Sequence, residues 1–215
     1  MKKFAIILAG CGVYDGSEIH EAVMTMYAVM KNGAEYQLFA PDIRQHHVVN
    51  HLTGQEMPET RNVLVESARI ARGNIKPLEK LDVRAFDALL FPGGFGVAKN
   101  LCSYAFEGAT CKVHPQAALV IKEAVSLRKP LGAMCISPVL FANILGDVRI
   151  TVGPDEGDAR NVKAMGATHV ATAHGDVVID EKHRLYTAPC YQLPATIVQI
   201  AGDADNLVKA MLKNI

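Results

Sequence analysis

Short apolar runs alternate along this chain with segments whose apolar residues recur every three or four positions. The first run, Phe4 to Ala9, contains no polar residue and predicts a strand buried on both faces of a parallel sheet. A loop opened by Gly10-Cys11-Gly12 leads to Glu18. Beyond it Ile19, Ala22, Val23, Met26, Tyr27 and Met30 fall on one face of a predicted helix that Gly33 ends. Tyr36 to Ala40 predicts a second strand, closed by Pro41-Asp42. Thr60 to Arg72 predicts a helix with Val63, Leu64, Ser67, Ala68 and Ala71 on its apolar side, and Asn74 to Arg84 reads as a connection. Phe86 to Phe91 is a third strand, leading into Pro92-Gly93-Gly94-Phe95-Gly96.

Val97 to His114 follows neither period; a lid and a dimer-contact insertion both fit it. Pro115 to Leu127 is helical. Leu131 to Met134 reads as a buried strand ending at Cys135. A helix starts almost at once, with Ser137 as its cap and Pro138 at its first position, and runs to about Leu145. Val148 to Val152 predicts a strand and Ala159 to Met165 a helix. His169 to Thr172, Val177 to Asp180 and Leu185 to Ala188 alternate with turn residues, as short strands or a hairpin do. Tyr191 to Leu212 is helical, with a break near Gly202. Strand, helix, strand from the first residues onward is the order of an α/β fold, and no linker or repeat divides 1–215 into more than one domain.

Composition narrows this reading. Half of the 215 residues are apolar, enough for a sizeable core without staples. With 22 basic and 22 acidic residues the formal charge is zero, so nothing favours nucleic acid or an anionic membrane as partner. A neutral, apolar-rich chain is compatible with a homodimer. The five cysteines, Cys11, Cys102, Cys111, Cys135 and Cys190, form no CxxC pair, which argues against a zinc finger or disulfide framework. Lys2-Lys3 and the apolar run behind them are too short for a signal peptide, and no run approaches membrane-spanning length. The expectation is a soluble cytoplasmic protein. His46, His47 and His51 sit in a polar stretch and read as solvated surface rather than a metal site.

In open α/β sheets ligands bind beyond the carboxyl ends of the strands. Three loops fall there: Gly10 to Glu18, Pro92 to Gly96, and Cys135 to Ser137. A strand that turns directly into a helix exposes its turn residue across the positive helix end, which predicts thiolate character and a nucleophilic role for Cys135. A small buried hydrophobe is the alternative for a free cysteine. Glycines after a strand let backbone N–H groups approach an oxyanion, or simply make a turn; this cluster has neither the Lys-Ser/Thr of a P-loop nor GxGxxG spacing. Asp15-x-x-Glu18 fits a capping box at the start of a helix. In the functional reading Glu18 instead shares a hydrogen bond with the Cys135 sulfur and acts as acid and base.

Gly10-Cys-Gly-Val-Tyr-Asp-Gly-Ser-Glu-Ile-His-Glu21, His51-Leu-Thr-Gly54, Glu59-Thr-Arg-Asn-Val-Leu64, Pro92-Gly-Gly-Phe-Gly96, Ala98-Lys-Asn-Leu101, Pro130-Leu-Gly132 and Met134-Cys135-Ile136 together closely resemble the ElbB family. These are glyoxalase-like proteins of the class I glutamine amidotransferase-like superfamily, which also holds the PfpI-type proteases. The resemblance spans nearly the whole chain, and its first block is the most specific. It implies a three-layer α/β/α sandwich with a flavodoxin-like core and a mostly parallel sheet. It also implies a nucleophilic Cys135, an acid at Glu18, and oxyanion N–H groups from the Gly93-Gly94 turn and Ile136.

PfpI-type proteases carry a histidine directly after the cysteine; here that position is Ile136, which argues against peptidase activity. The late His-Pro-Glu of the amidotransferases is missing too, and nothing in the spacing selects His169 or His174 as a substitute. What the resemblance implies is a glyoxalase that turns a small 2-oxoaldehyde, glyoxal or methylglyoxal, into glycolate or lactate without glutathione, metal or nucleotide. The alternative is a redox-responsive or regulatory binding protein of the same fold, linked to isoprenoid biosynthesis, with Cys135 as its oxidisable thiol and Cys11 nearby.

Overall fold

Parallel strands need long crossovers, and the chain supplies them as helices. The computed structural model describes residues 1–215. It runs β1 (Lys3–Ile7), α1 (Ile19–Lys31), β2 (Glu35–Ala40), α2 (Val63–Ile70), β3 (Ile75–Pro77) and β4 (Ala88–Phe91). Then come α3 (Tyr104–Glu107), α4 (Pro115–Ser126), β5 (Leu131–Met134), α5 (Pro138–Leu145), β6 (Arg149–Ile150) and α6 (Glu156–Ala164). The chain closes with β7 (Thr168–His169), β8 (Val178–Asp180), β9 (Leu185–Ala188) and α7 (Ile197–Leu212).

Seven strands form the central sheet in the order β3-β2-β1-β4-β5-β9-β8. Every pairing in it is parallel except β8 against β9. Its middle is in register from Leu38 through Ile6, Leu90 and Gly132 to Tyr186. The residues of β4, β5 and β9 are all buried, which is why β4 and β5 read as apolar runs; β9 buries Thr187 among its apolar neighbours. Chain direction on the sheet reverses between β1 and β4, and right-handed crossovers then send successive helices to opposite faces. Thus α1 packs on α7 and α2, whereas α4 packs on α5 and α5 on α6. This is the three-layer α/β/α sandwich with a flavodoxin-like core expected above. No helix is long and apolar enough to cross a membrane.

Several local expectations change. β3 lies in the stretch read as a connection; its three residues include Lys76 and Pro77, too short and polar to signal a strand. α1 is turned away from its predicted face: Ile19, Val23, Tyr27 and Met30 are exposed, whereas Glu21, Ala22, Thr25, Ala28 and Val29 are buried. Small side chains at those buried positions let the helix lie close to the sheet and α7. α7 continues through Gly202 without a break. β6 and β7 leave the main sheet and pair with each other. Val97 to His114 is ordered as a π-helical turn over Val97–Leu101, then α3, a 3-10 turn over Gly108–Thr110 and a bridge from Cys102 to Val113.

Candidate active site

Because β1, β4 and β5 run parallel, their carboxyl ends open on one edge, and the three loops singled out above meet there. β5 ends at Met134, and Cys135 turns the chain with φ 58°, the left-handed region that a side chain ordinarily avoids. Its N–H still bonds Ala188 of β9 at 3.0 Å, so the strained residue is anchored to the sheet. Ser137 begins α5 without a side-chain cap; its hydroxyl donates instead to the Pro92 carbonyl at 2.7 Å and ties the elbow to the glycine turn.

The glycine turn is laced to the first loop. Glu18 N–H donates to Gly93 O at 2.9 Å, Phe95 N–H to Val13 O at 2.8 Å and Gly96 N–H to Gly16 O at 2.9 Å. Gly94 takes φ 101°, and a Cβ there would lie 2.3 Å from Glu18 N. A Cβ on Gly93 would lie 2.5 Å from Cys135 Cβ, 2.6 Å from Glu21 Oε2 and 3.0 Å from Cys135 Sγ. The bare α-carbon of Gly93 is therefore what lets that carboxyl and the thiol meet.

The acid beside the sulfur is Glu21, not Glu18. Glu18 is the N-cap of α1, its Oε2 accepting the Glu21 N–H at 2.7 Å. Asp15 is no part of a capping box: its Oδ2 accepts the Val49 N–H at 2.7 Å. Glu21 is fully buried one turn further on. Its Oε2 accepts the Gly93 N–H at 2.8 Å, its Oε1 accepts the Tyr191 N–H at 3.2 Å, and its carboxyl and the Cys135 thiol both crowd the bare α-carbon of Gly93. Gly93 N–H is thereby committed to the acid, whereas the N–H groups of Gly94 and Ile136 donate to no backbone carbonyl. Both of those N–H groups favour the charged form of the Cys135 sulfur.

The electrostatics reverse the sequence expectation of a thiol with lowered pKa. Burial pushes Cys135 well above its ordinary value and the Glu21 charge adds to this; the N–H groups of Gly94 and Ile136 oppose it. Burial, with help from Glu18, raises Glu21 to about 8. Two groups that each resist ionisation, and more so when the other is charged, hold at most one negative charge between them. Near neutral pH both groups of this couple are mainly protonated, and the carboxyl, the more acidic of the two, is the one that can release a proton and take it back.

A cavity of about 460 Å³ opens above the couple, lined by Glu18, Cys135, Gly94 and Ile136 at one end and by Tyr104, Asp158 and Asn161 at the other. Cys135 is 9 % exposed, on the cavity side. Sequence reasoning missed Glu21, Tyr191 and the far end. His169 Nε2 lies 2.9 Å from Gly153 O, and His174 bridges Asp203 Oδ2 at 2.9 Å and Pro194 O at 3.1 Å; neither lines the cavity. Cys11 sits among Glu66, Arg69 and Asp15, and the cysteine that feels the Cys135 charge is the fully buried Cys190. His46 packs on Phe106 with ring centroids 4.4 Å apart and His51 on Tyr14 at 4.9 Å. No three His, Cys, Asp or Glu side chains converge in a way that would hold a metal ion.

The chain matches no protein-family model. It is 42 % identical over 221 aligned residues to the ES1 protein homolog, mitochondrial, of Rattus norvegicus, covering 98 % of this chain and 83 % of that one. It is equally 42 % identical, over 98 % of its own length and 82 % of the other, to the human glutamine amidotransferase-like class 1 domain-containing protein 3, mitochondrial. Among solved structures, an isoprenoid biosynthesis protein with amidotransferase-like domain from Ehrlichia chaffeensis superposes with a TM-score of 0.91 at 33 % identity, over 99 % of this chain and all of that one. A ThiJ/PfpI domain protein from Brachyspira murdochii, 14 % identical with a TM-score of 0.62 over 100 % and 97 % of the two chains, shares the fold.

Proposed function

The chain belongs to the ES1 family of glutamine amidotransferase-like class 1 domain proteins, and from that premise we propose that it is a cofactor-independent glyoxalase acting on small 2-oxoaldehydes. The observation that carries this reading is the Glu21–Cys135 couple on a strained elbow, with the unpartnered Gly94 and Ile136 N–H groups beside the sulfur and a cavity above it. Placement within the ElbB branch is part of the same proposal and rests on the motifs quoted above.

In this scheme the Cys135 sulfur bonds to the aldehyde carbon of glyoxal or methylglyoxal, and its proton passes through Glu21 to the aldehyde oxygen. The N–H groups of Gly94 and Ile136 stabilise the oxyanion as it forms. The product is a hemithioacetal. Glu21 then removes the hydrogen on the sulfur-bearing carbon and returns it to the neighbouring carbonyl carbon through an enediol. The first carbon is oxidised and the second reduced, with no outside electron acceptor. The resulting thioester is cleaved by water to glycolate or lactate, which frees the thiol. An acid with pKa near 8 suits both directions of this transfer.

The test is glycolate and lactate formation by purified wild type, Cys135→Ala and Glu21→Gln without glutathione. Turnover that survives Cys135→Ala would overturn the scheme. A second reading, a redox-responsive or regulatory binding protein linked to isoprenoid biosynthesis, is favoured by the same two N–H groups, which would also stabilise a sulfenate or sulfinate on Cys135. Mass spectrometry after mild peroxide, showing Cys135 oxidised selectively in a protein that turns over no aldehyde, would select it. A homodimer, for which the exposed apolar residues of α1 speak, is proposed alongside and is measured by sedimentation. So is a reducing compartment, for which five free thiols speak: cytoplasm, or the mitochondrion that the mammalian relatives' names give.

A further inference from the structure

The cavity is too large for the substrate proposed above. A water molecule claims about 30 Å³, so a dialdehyde of four heavy atoms needs on the order of 100 Å³. The cavity offers about 460 Å³, reaching from Cys135 to a second polar group at its far end. That group is held by α3, the 3-10 turn after it and the first turns of α6. Tyr104 O–H donates to Asp158 Oδ1 at 2.6 Å, and Asn161 Nδ2 donates to the Tyr104 oxygen at 3.1 Å. Both capacities of the phenol are used within the protein. Asp158 Oδ2 and Asn161 Oδ1 are left with no protein donor.

Three features fix what could pair with them. The lining holds two carboxylates, Glu18 and Asp158, and no lysine, arginine or histidine. Asp158 is half-buried and has no cation in ion-pair contact; burial raises its pKa, and the Tyr104 hydrogen bond opposes the rise. Four aromatic rings, Phe95, Tyr104, Phe106 and Tyr191, complete the walls, with Phe95 and Phe106 half-exposed. Asp158 attracts a cation through its own charge. The same lining repels a phosphate or carboxylate.

We propose that the distal end of the cavity, at Asp158, Asn161 and Tyr104, is an ammonium-binding subsite, so that the preferred substrate is a 2-oxoaldehyde joined by a short spacer to a primary ammonium group. The aldehyde half of this statement rests on the cysteine chemistry proposed above; the ammonium half rests on the distal subsite alone.

Both halves are tested with three probes of similar shape: phenylglyoxal, its 4-aminomethyl derivative and its 4-carboxy derivative. For wild type, kcat/KM is expected to be about tenfold higher for the aminomethyl probe than for phenylglyoxal, and lowest for the carboxy probe. Asp158→Asn should bring the first ratio to within about twofold, with its thermal midpoint reported beside it. Equal or reversed ratios in wild type overturn the subsite, and need no variant to fold. Binding of benzylamine and of benzoate to Cys135→Ala, measured by calorimetry, separates the two halves. Amine binding that depends on Asp158, in a protein that turns over no aldehyde, keeps the subsite and removes the glyoxalase reading. Turnover without charge preference does the opposite, and failure of both measurements removes both.

Discussion

Glu18 and Glu21 are joined by a 2.7 Å hydrogen bond from the backbone N–H of the second to the carboxylate of the first. One acid fixes the opening turn of α1, and the other uses that turn to reach the sulfur. The two should therefore respond differently to the same change. Glu21→Gln removes the proton carrier and should lower kcat by about 100-fold or more, with the fold intact. Glu18→Gln keeps a cap of sorts and should act mainly on stability, by about 1 kcal/mol or less, with a much smaller effect on kcat. Turnover and urea midpoints of both variants check this; equal losses of kcat would contradict it.

Gly93→Ala should be more damaging than its size suggests. The added methyl would meet Cys135 Cβ at 2.5 Å and Glu21 Oε2 at 2.6 Å. Relieving that clash means separating acid from thiol. Overpacking of this kind costs about 1–3 kcal/mol, and activity should fall to the level of Glu21→Gln. Thermal unfolding and glycolate assays measure the two effects.

Gly202→Ala should do the reverse. Gly202 lies inside α7, and a Cβ there would meet nothing within 4 Å. Alanine loses less backbone entropy in a helix than glycine, so a gain of about 0.5–1 kcal/mol is expected, with turnover unchanged. A loss of stability would mean that the helix is not continuous at this position.

The pH dependence of stability follows from the buried acid. Burial, reinforced by Glu18, holds Glu21 up to about 8, whereas an unfolded glutamate releases its proton near pH 4.3. Between these values the native state binds a proton that the unfolded state has lost, so this group's contribution falls as pH rises from about 5 to 8, by at most about 1.4 kcal/mol per pH unit. Glu21→Gln should flatten that slope and gain on wild type as pH rises. Urea midpoints for both proteins across this range provide the test; a difference independent of pH would contradict it.

How much of this was legible in the sequence depends on whether the signal was local. β1, β4 and β5 are buried on both faces, so their apolar runs announced a parallel sheet. Cys135 was legible because strand and helix signals abut within three residues. Glu21 was not. A glutamate in the first turn of a helix ordinarily complements the dipole, and nothing nearby tells that Gly93 and Cys135 arrive above it. The one available hint is that Glu21, Thr25 and Ala28 share a helix face of small residues, the face that turned out to be buried. The bulky stripe of Ile19, Val23, Tyr27 and Met30 drew the prediction to the other side. Tyr104, Asp158 and Asn161 were invisible for a related reason: they come from elements that meet only once the insertion folds onto α6.

The two margins of the central sheet bear on how the protein behaves when concentrated. A strand with a bare edge invites neighbouring chains to add to it, and the sheet then grows from molecule to molecule. Here one margin is β3, three residues long and ending in Pro77, which has no N–H to offer an incoming strand. The opposite margin, β8, is also three residues long and ends in Asp180, whose carboxylate holds the N–H groups of Arg149 at 2.7 Å and His183 at 2.9 Å. β6 packs close to that margin. Strand-to-strand polymerisation thus has no long template at either side, and the fold carries its strongly apolar sheet without becoming a seed for fibres.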